Sequence, residues 1–199
     1  MAASDRRTQT DYLVLAVIPV GIALNVGLGA VVIALRLPIY LDAVGTILVT
    51  ALMGWRAGIA AGVMSFLLAA VLVSPTYVYF VGTQAAIAVY VYVVCTRLGV
   101  LKSVWRVVVA GVGLGIVAGL VSAPVIVLVF GGASGSGRDL LTALLVSSGQ
   151  QVLKAVALSG AASEPIDKTL QLMLAWSLLR SLPQRVLDRF PNRIGRSGV

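Results

Sequence analysis

A chain of 199 residues that is 59% hydrophobic and only 11% charged, with a mean hydropathy of +1.03, is not built like a soluble domain, in which about a quarter of residues carry charge. The net charge of +8 would point to nucleic acid in a soluble protein, but in the membrane class the basic residues belong first to one side of the bilayer, and no nucleic-acid partner is expected. Histidine is absent, which excludes triads with an imidazole base and the usual histidine-bearing zinc sites, and no G-x-x-x-x-G-K-[ST] loop is present to cradle nucleotide phosphates.

A spanning helix needs roughly 20 mainly apolar residues to cross about 30 Å of hydrocarbon. The length therefore predicts an all-α membrane protein with six transmembrane helices, one integral membrane domain over residues 1–199 in the lipid bilayer. Residues 1–11 form a polar N-terminal tail with Arg6 and Arg7. The apolar run from Leu13 to Leu35 is too long for a signal-peptide core and reads as the first retained span. Arg36, Leu37 and Pro38 end it, because a proline disfavours helical geometry in the residue before it. A short second helix is expected over Leu41 to Met53, then a turn at Gly54, Trp55 and Arg56. The third helix runs from Ala57 to Val73 and stops at Ser74 and Pro75; the fourth covers Val78 to Thr96. After the basic stretch Arg97 to Arg106 comes a fifth helix from Val107 to Phe130, with Pro124 as a kink.

A glycine and serine linker, Gly131 to Gly137, leads into Arg138 to Ser159. There Ser147, Gln150, Gln151 and Lys154 fall at i, i+3, i+4 and i+7, along one helix face. This segment is expected to be an additional amphipathic or re-entrant helix, lying at the interface, re-entering the bundle, or packing its polar stripe on a water-filled cavity. The last span then runs from Ile166 to Leu182, started by Glu164 and Pro165 and followed by a basic tail over residues 183–199.

With both termini cytoplasmic, the connections sort by charge as cytoplasmic enrichment in lysine and arginine requires. The inner side receives Arg56, Arg97, Lys102, Arg106, Arg180 and the two tails, against Asp5, Asp11 and Asp188. The outer side is balanced, with Arg36, Arg138, Lys154 and Lys168 against Asp42, Asp139, Glu164 and Asp167.

Polar and aromatic residues collect on that outer side. Asp42, Thr46 and Thr50 form a stripe at i, i+4 and i+8 that should face protein or water. Asp42 either caps the first turn of its helix or meets a ligand. Asn25, Gln84 and Gln171 are intramembrane amides, serving as interhelical glue or ligand contacts. Tyr40, Tyr77, Tyr79 and Phe80 form an interfacial aromatic belt or a stacking surface. Small residues recur at Gly111, Gly115, Gly119 and Ala123, at Gly58 and Gly62, and at Ala23 and Gly27, for bundle packing or for a partner. The candidate substrate site is an outer pocket of Tyr40, Asp42, Tyr77, Gln84, Gln150, Gln151 and Lys154. Its aromatic rings would stack on a ligand, its amides orient it, and Lys154 answer an anionic or carbonyl group.

Three stretches, Ile22-Ala-Leu-Asn-Val-Gly-Leu-Gly29, Leu37-Pro-Ile-Tyr-Leu-Asp-Ala-Val-Gly-Thr46 and Gly54-Trp-Arg-Ala-Gly58, are joined by Glu164-Pro-Ile-Asp-Lys-Thr-Leu170 and Leu179-Arg-Ser-Leu-Pro-Gln-Arg185. Together they resemble the S components, the substrate-binding membrane subunits, of energy-coupling factor (ECF) transporters. The resemblance implies six helices in the plasma membrane with both termini cytoplasmic, and a pocket for a vitamin-like nutrient near the outer surface. It also implies docking on a transmembrane coupling protein driven by two ATPase subunits, with no cofactor and no catalysis in this chain. The family often carries an Ala-x-x-x-Ala pair on its first helix for that docking, and the nearest match here is Ala23 with Gly27. Nickel and cobalt members use an N-terminal histidine, so a metal substrate is not expected. Two other classes stand beside this one: a membrane sensor or interaction subunit without transport, and an intramembrane enzyme using Asp42 or Glu164, for which no compact acid and base motif is present.

Overall fold

The computed structural model describes residues 3–35, 37, 39–135 and 138–191, with side chains from residue 16 onward. Arg36, Pro38, Arg193 and Arg196 lie outside the described residues, as do the side chains of Arg6 and Arg7. Among the described residues the fold is all helical: α1 (Ala3–Ala34), α2 (Val44–Met53), α3 (Trp55–Leu72), α4 (Val81–Leu98), α5 (Val104–Leu128), α6 (Asp139–Ser147), α7 (Val152–Ser181) and α8 (Gln184–Leu187). A 3₁₀ turn over Pro75–Phe80 leads into α4. Four segments are long and apolar enough to cross a membrane: Ala16–Ala34, Trp55–Leu72, Pro75–Leu98 and Val104–Leu128.

The two other expected spans, α2 and α7, depart from simple spans for different reasons. With 10 residues α2 reaches about 15 Å, half a bilayer, and eight of those residues are buried, so it is enclosed by other helices and not by lipid. It starts at Val44, later than the expected Leu41, because Leu41 adopts a left-handed backbone with φ 50°. The last helix is longer than expected. Glu164 and Pro165 do not start it; α7 begins at Val152 and runs through both for 30 residues. The polar stripe expected along residues 147–154 is broken, because α6 ends in a glycine cap. Gly149 takes φ 90°, its N–H bonds Val146 O at 2.9 Å, and Gln150 N–H bonds Leu145 O at 3.1 Å, the double closure that stops a helix at a left-handed residue. At the other end of the chain α1 begins at Ala3, so the polar stretch expected as a tail continues the helix.

Glycines on α5 and α2 allow the closest approaches. A methyl group at Gly111 would strike Thr169 on α7, one at Gly115 would strike the Pro165 backbone, and one at Gly45 would strike the Gly21 backbone of α1. The α5 stripe is thus consumed inside the bundle, against α7, where small residues let backbones meet. Gly58 and Gly62 likewise face Thr50 and Gln84. At the end of the bundle carrying Arg56, Lys102 and Arg180, the Trp176 indole donates to Leu101 O at 2.8 Å. There Leu187 of α8 and Phe190, just after it, join the core.

Candidate ligand-binding cavity

The cavity is built on the short segment between α1 and α2. A helix leaves its first N–H groups without intrahelical partners, and Ala43, at the N-cap of α2, has no side chain to supply them. Two other helices do so. Asn25 Oδ1 of α1 accepts from Gly45 N–H at 2.7 Å and Thr46 N–H at 3.3 Å. On α7, Gln171 Oε1 accepts from Ala43 N–H at 2.8 Å, and Asp167 Oδ1 accepts from Tyr40 and Leu41 N–H at 2.9 and 3.1 Å. These bonds hold Leu41 in a backbone region that costs about 1–2 kcal/mol for a residue with a Cβ. Asp42 does not cap α2; its Oδ1 instead meets Lys168 Nζ at 3.1 Å and Gln171 Nε2 at 3.4 Å.

Above this segment lies a cavity of about 550 Å³, within the usual range for small-molecule sites, about 300–1,000 Å³. Three connections contribute to it: Tyr40 and Asp42 after α1, Tyr77 and Phe80 from the 3₁₀ turn, and Ser134 after α5. The helices add Phe66, Thr83, Gln84, Ile126, Glu164 and Lys168, with Leu140 from α6. The walls are largely aromatic and aliphatic, with Phe66 and Tyr77 edge to face at 5.1 Å. The floor is polar.

That floor carries a buried ionic cluster. Lys168 Nζ lies 2.7 Å from Asp167 Oδ2, 3.1 Å from Asp42 Oδ1 and 4.0 Å from Glu164 Oε2, and 5.4 Å from the centre of the Tyr40 ring. Arg138 Nη1 donates to Glu164 Oε1 at 3.2 Å. Arg138, Glu164, Asp167 and Lys168 are each at most 5% exposed, a burial that charges tolerate only when paired and hydrogen-bonded. Beneath the cluster, Gln84 Oε1 accepts from Thr46 Oγ1 at 2.7 Å while its Nε2 donates to Asp42 O at 3.1 Å. Asn25 Nδ2 donates to Thr46 Oγ1 at 2.8 Å and to Ser65 Oγ at 3.0 Å. The buried amides therefore act as glue between α1, α2, α3 and α4 and fix the floor from below.

Of the expected site residues, Tyr40, Asp42, Tyr77 and Gln84 line this cavity together. Gln150, Gln151 and Lys154 do not. The glycine cap at Gly149 turns them away, and Gln151 and Lys154 are exposed. Their place is taken by Glu164 and Lys168. A signal for these was present, since Glu164, Asp167, Lys168 and Gln171 also fall at i, i+3, i+4 and i+7, on a helix whose apolar character drew attention away from them. Phe80 both lines the cavity and stacks with Phe130 at 5.9 Å, while Tyr79 meets the same ring edge to face at 5.4 Å. Ala23 and Gly27 sit on an exposed face of α1, and a methyl group at Gly27 would meet open space. Among the described residues no three metal-ligating side chains are grouped to hold a metal ion.

No protein-family model, curated protein or solved structure matches this chain. Fold and cavity define its class: an all-helical membrane protein with a polar-floored, aromatic-walled cavity at one end of the bundle.

Proposed function

We propose that the chain is the substrate-binding S component of an ECF-type importer in the plasma membrane, capturing a vitamin-like small nutrient from outside. The observation that carries this reading is the position of the cavity. It lies at the end of the bundle formed by the connections after α1, α3 and α5, away from Arg56, Arg97, Lys102, Arg106 and Arg180, which the positive-inside rule assigns to the cytoplasm. Arginine over tryptophan at that other end, Arg56 on Trp55 at 5.2 Å and Arg180 on Trp176 at 4.7 Å, suits an interfacial belt. In this reading α1 to α5 and α7 are the six membrane segments, with α2 enclosed by the others and both termini inside. A transmembrane coupling protein docks on the exposed α1 face around Ala23 and Gly27, and two ATPases supply the energy.

The test is purification from native membranes in mild detergent. The chain should bring down a coupling protein with two ATPases, and mass spectrometry should find a small molecule retained by the wild type and lost from a Tyr77→Ala, Gln84→Ala variant. A chain that comes down without ATPases is a sensor or interaction subunit, and the importer reading falls.

A further inference from the structure

We infer that the ligand of this cavity carries a positive charge: an aromatic or heteroaromatic molecule bearing a protonated amine-type or amidine-type nitrogen. The inference rests on reading the cavity as a ligand site, and it adds the charge. Among the described residues three carboxylates, Asp42, Glu164 and Asp167, face two cations, Lys168 and Arg138, an excess of one acidic group. Both cations are also committed. Lys168 spreads its ammonium over all three carboxylates, and Arg138 holds Glu164 through Nη1, keeps its Nε without a partner among the described residues, and does not line the cavity. Among the described lining residues an anionic ligand would meet one cation, Lys168, already shared by three carboxylates, and two carboxylates, Asp42 and Glu164.

The unused hydrogen-bonding capacity points the same way. Asp42 lines the cavity, and while its Oδ1 takes Lys168 and Gln171, its Oδ2 has no partner among the described residues. Thr83 also lines the cavity and is more than nine-tenths buried, yet its Oγ1 has no partner among the described residues. A buried hydroxyl left in that state carries an unrecovered desolvation penalty, which a ligand polar group can relieve. The Tyr77 hydroxyl, within the same wall, likewise has no hydrogen-bond partner among the described residues. Tyr77 and Phe66 offer aromatic surface beside the open carboxylate oxygen. This set suits a flat ring with a cationic donor on its edge, the ring held by the walls and the donor by Asp42.

Three probes of one shape isolate charge: benzamidinium, benzamide and benzoate. Binding is measured by saturation-transfer NMR titration of the purified full chain in nanodiscs. Benzamidinium should bind at least about tenfold more tightly than benzamide, the factor that about 1.4 kcal/mol of charge-assisted hydrogen bonding provides, and benzoate should not bind. Asp42→Asn should compress that preference to less than about threefold, since a neutral acceptor remains without the charge. Equal or tighter binding of benzamide or benzoate to the wild type overturns the inference, as does a preference that survives Asp42→Asn or no binding of benzamidinium at millimolar concentration. If ATPases fail to co-purify but the benzamidinium preference holds, the importer reading falls and the ligand charge stands. With ATPases present and benzoate preferred, the reverse is true.

Discussion

Asn25 Oδ1 accepts the N–H of Gly45 at 2.7 Å, so the first turn of α2 is capped by a side chain from α1. The same oxygen takes Thr46 N–H, and the amide nitrogen reaches Thr46 Oγ1 and Ser65 Oγ. One residue therefore ties three helices under the cavity floor. Asn25→Ala would leave the Gly45 and Thr46 N–H groups buried without an acceptor, at about 1–3 kcal/mol each. The expected outcome is a loss of roughly 2–4 kcal/mol in reversible unfolding in mixed micelles, with weaker ligand retention, because Asp42 and Tyr40 are carried by the segment that Asn25 anchors.

The Arg138–Glu164 pair links the entry to α6 with the middle of α7, both side chains almost fully buried. Removing one partner of such a pair strands the other charge, at a cost of about 3–5 kcal/mol. Arg138→Met should therefore lower stability strongly. The double variant Arg138→Met, Glu164→Gln should recover a substantial part of the loss, because the stranded carboxylate is gone. Thermal unfolding of the two variants beside the wild type checks the order; a double variant less stable than the single one would show that Glu164 stabilises the fold through Lys168 without Arg138.

How far the fold was legible follows from which physical signals are local. The expected bounds of the third and fifth helices lie within about three residues of α3 and α5, because apolar length and the Gly54 and Pro75 breaks act within a few residues. The start of α7 was missed for the opposite reason. Pro165 ends a helix in isolation, but here it packs against Gly115, a contact 50 residues away in sequence that only the fold supplies. Half of the candidate site was visible because Tyr40, Asp42, Tyr77 and Gln84 sit at helix boundaries expected on the outer side. Glu164 and Lys168 were hidden by their setting. Buried ions in an apolar helix become a site only once Asp42, from the far end of the chain, is brought to Lys168.

The small-residue positions separate packing from exposure. At Gly115 an added methyl meets the Pro165 backbone, which cannot yield as a side chain tip would, so Gly115→Ala should cost at least about 1–3 kcal/mol from overpacking. Gly27 has open space, and Gly27→Ala should be neutral or stabilising by up to about 1 kcal/mol. Melting temperatures of both variants provide the check. If the exposed face of α1 is the coupling surface, Ala23→Leu with Gly27→Leu should abolish ATPase co-purification while leaving ligand retention intact. Loss of both together would instead mark a folding defect.

Gln151 and Lys154 are solvent-facing, and neither they nor Gln150 lines the cavity. Replacing all three with alanine removes no contact to the floor cluster and no buried hydrogen bond, so stability should change by no more than about 0.5 kcal/mol, as for surface substitutions generally. Ligand retention in the triple variant should match the wild type. Glu164→Gln, which changes the charge of a cavity-lining group bonded to Arg138, should alter retention where the triple variant does not. A triple variant that loses the ligand with Glu164→Gln unaffected would move the binding site to the α6–α7 turn, and the cavity over Asp42 would then be a packing void.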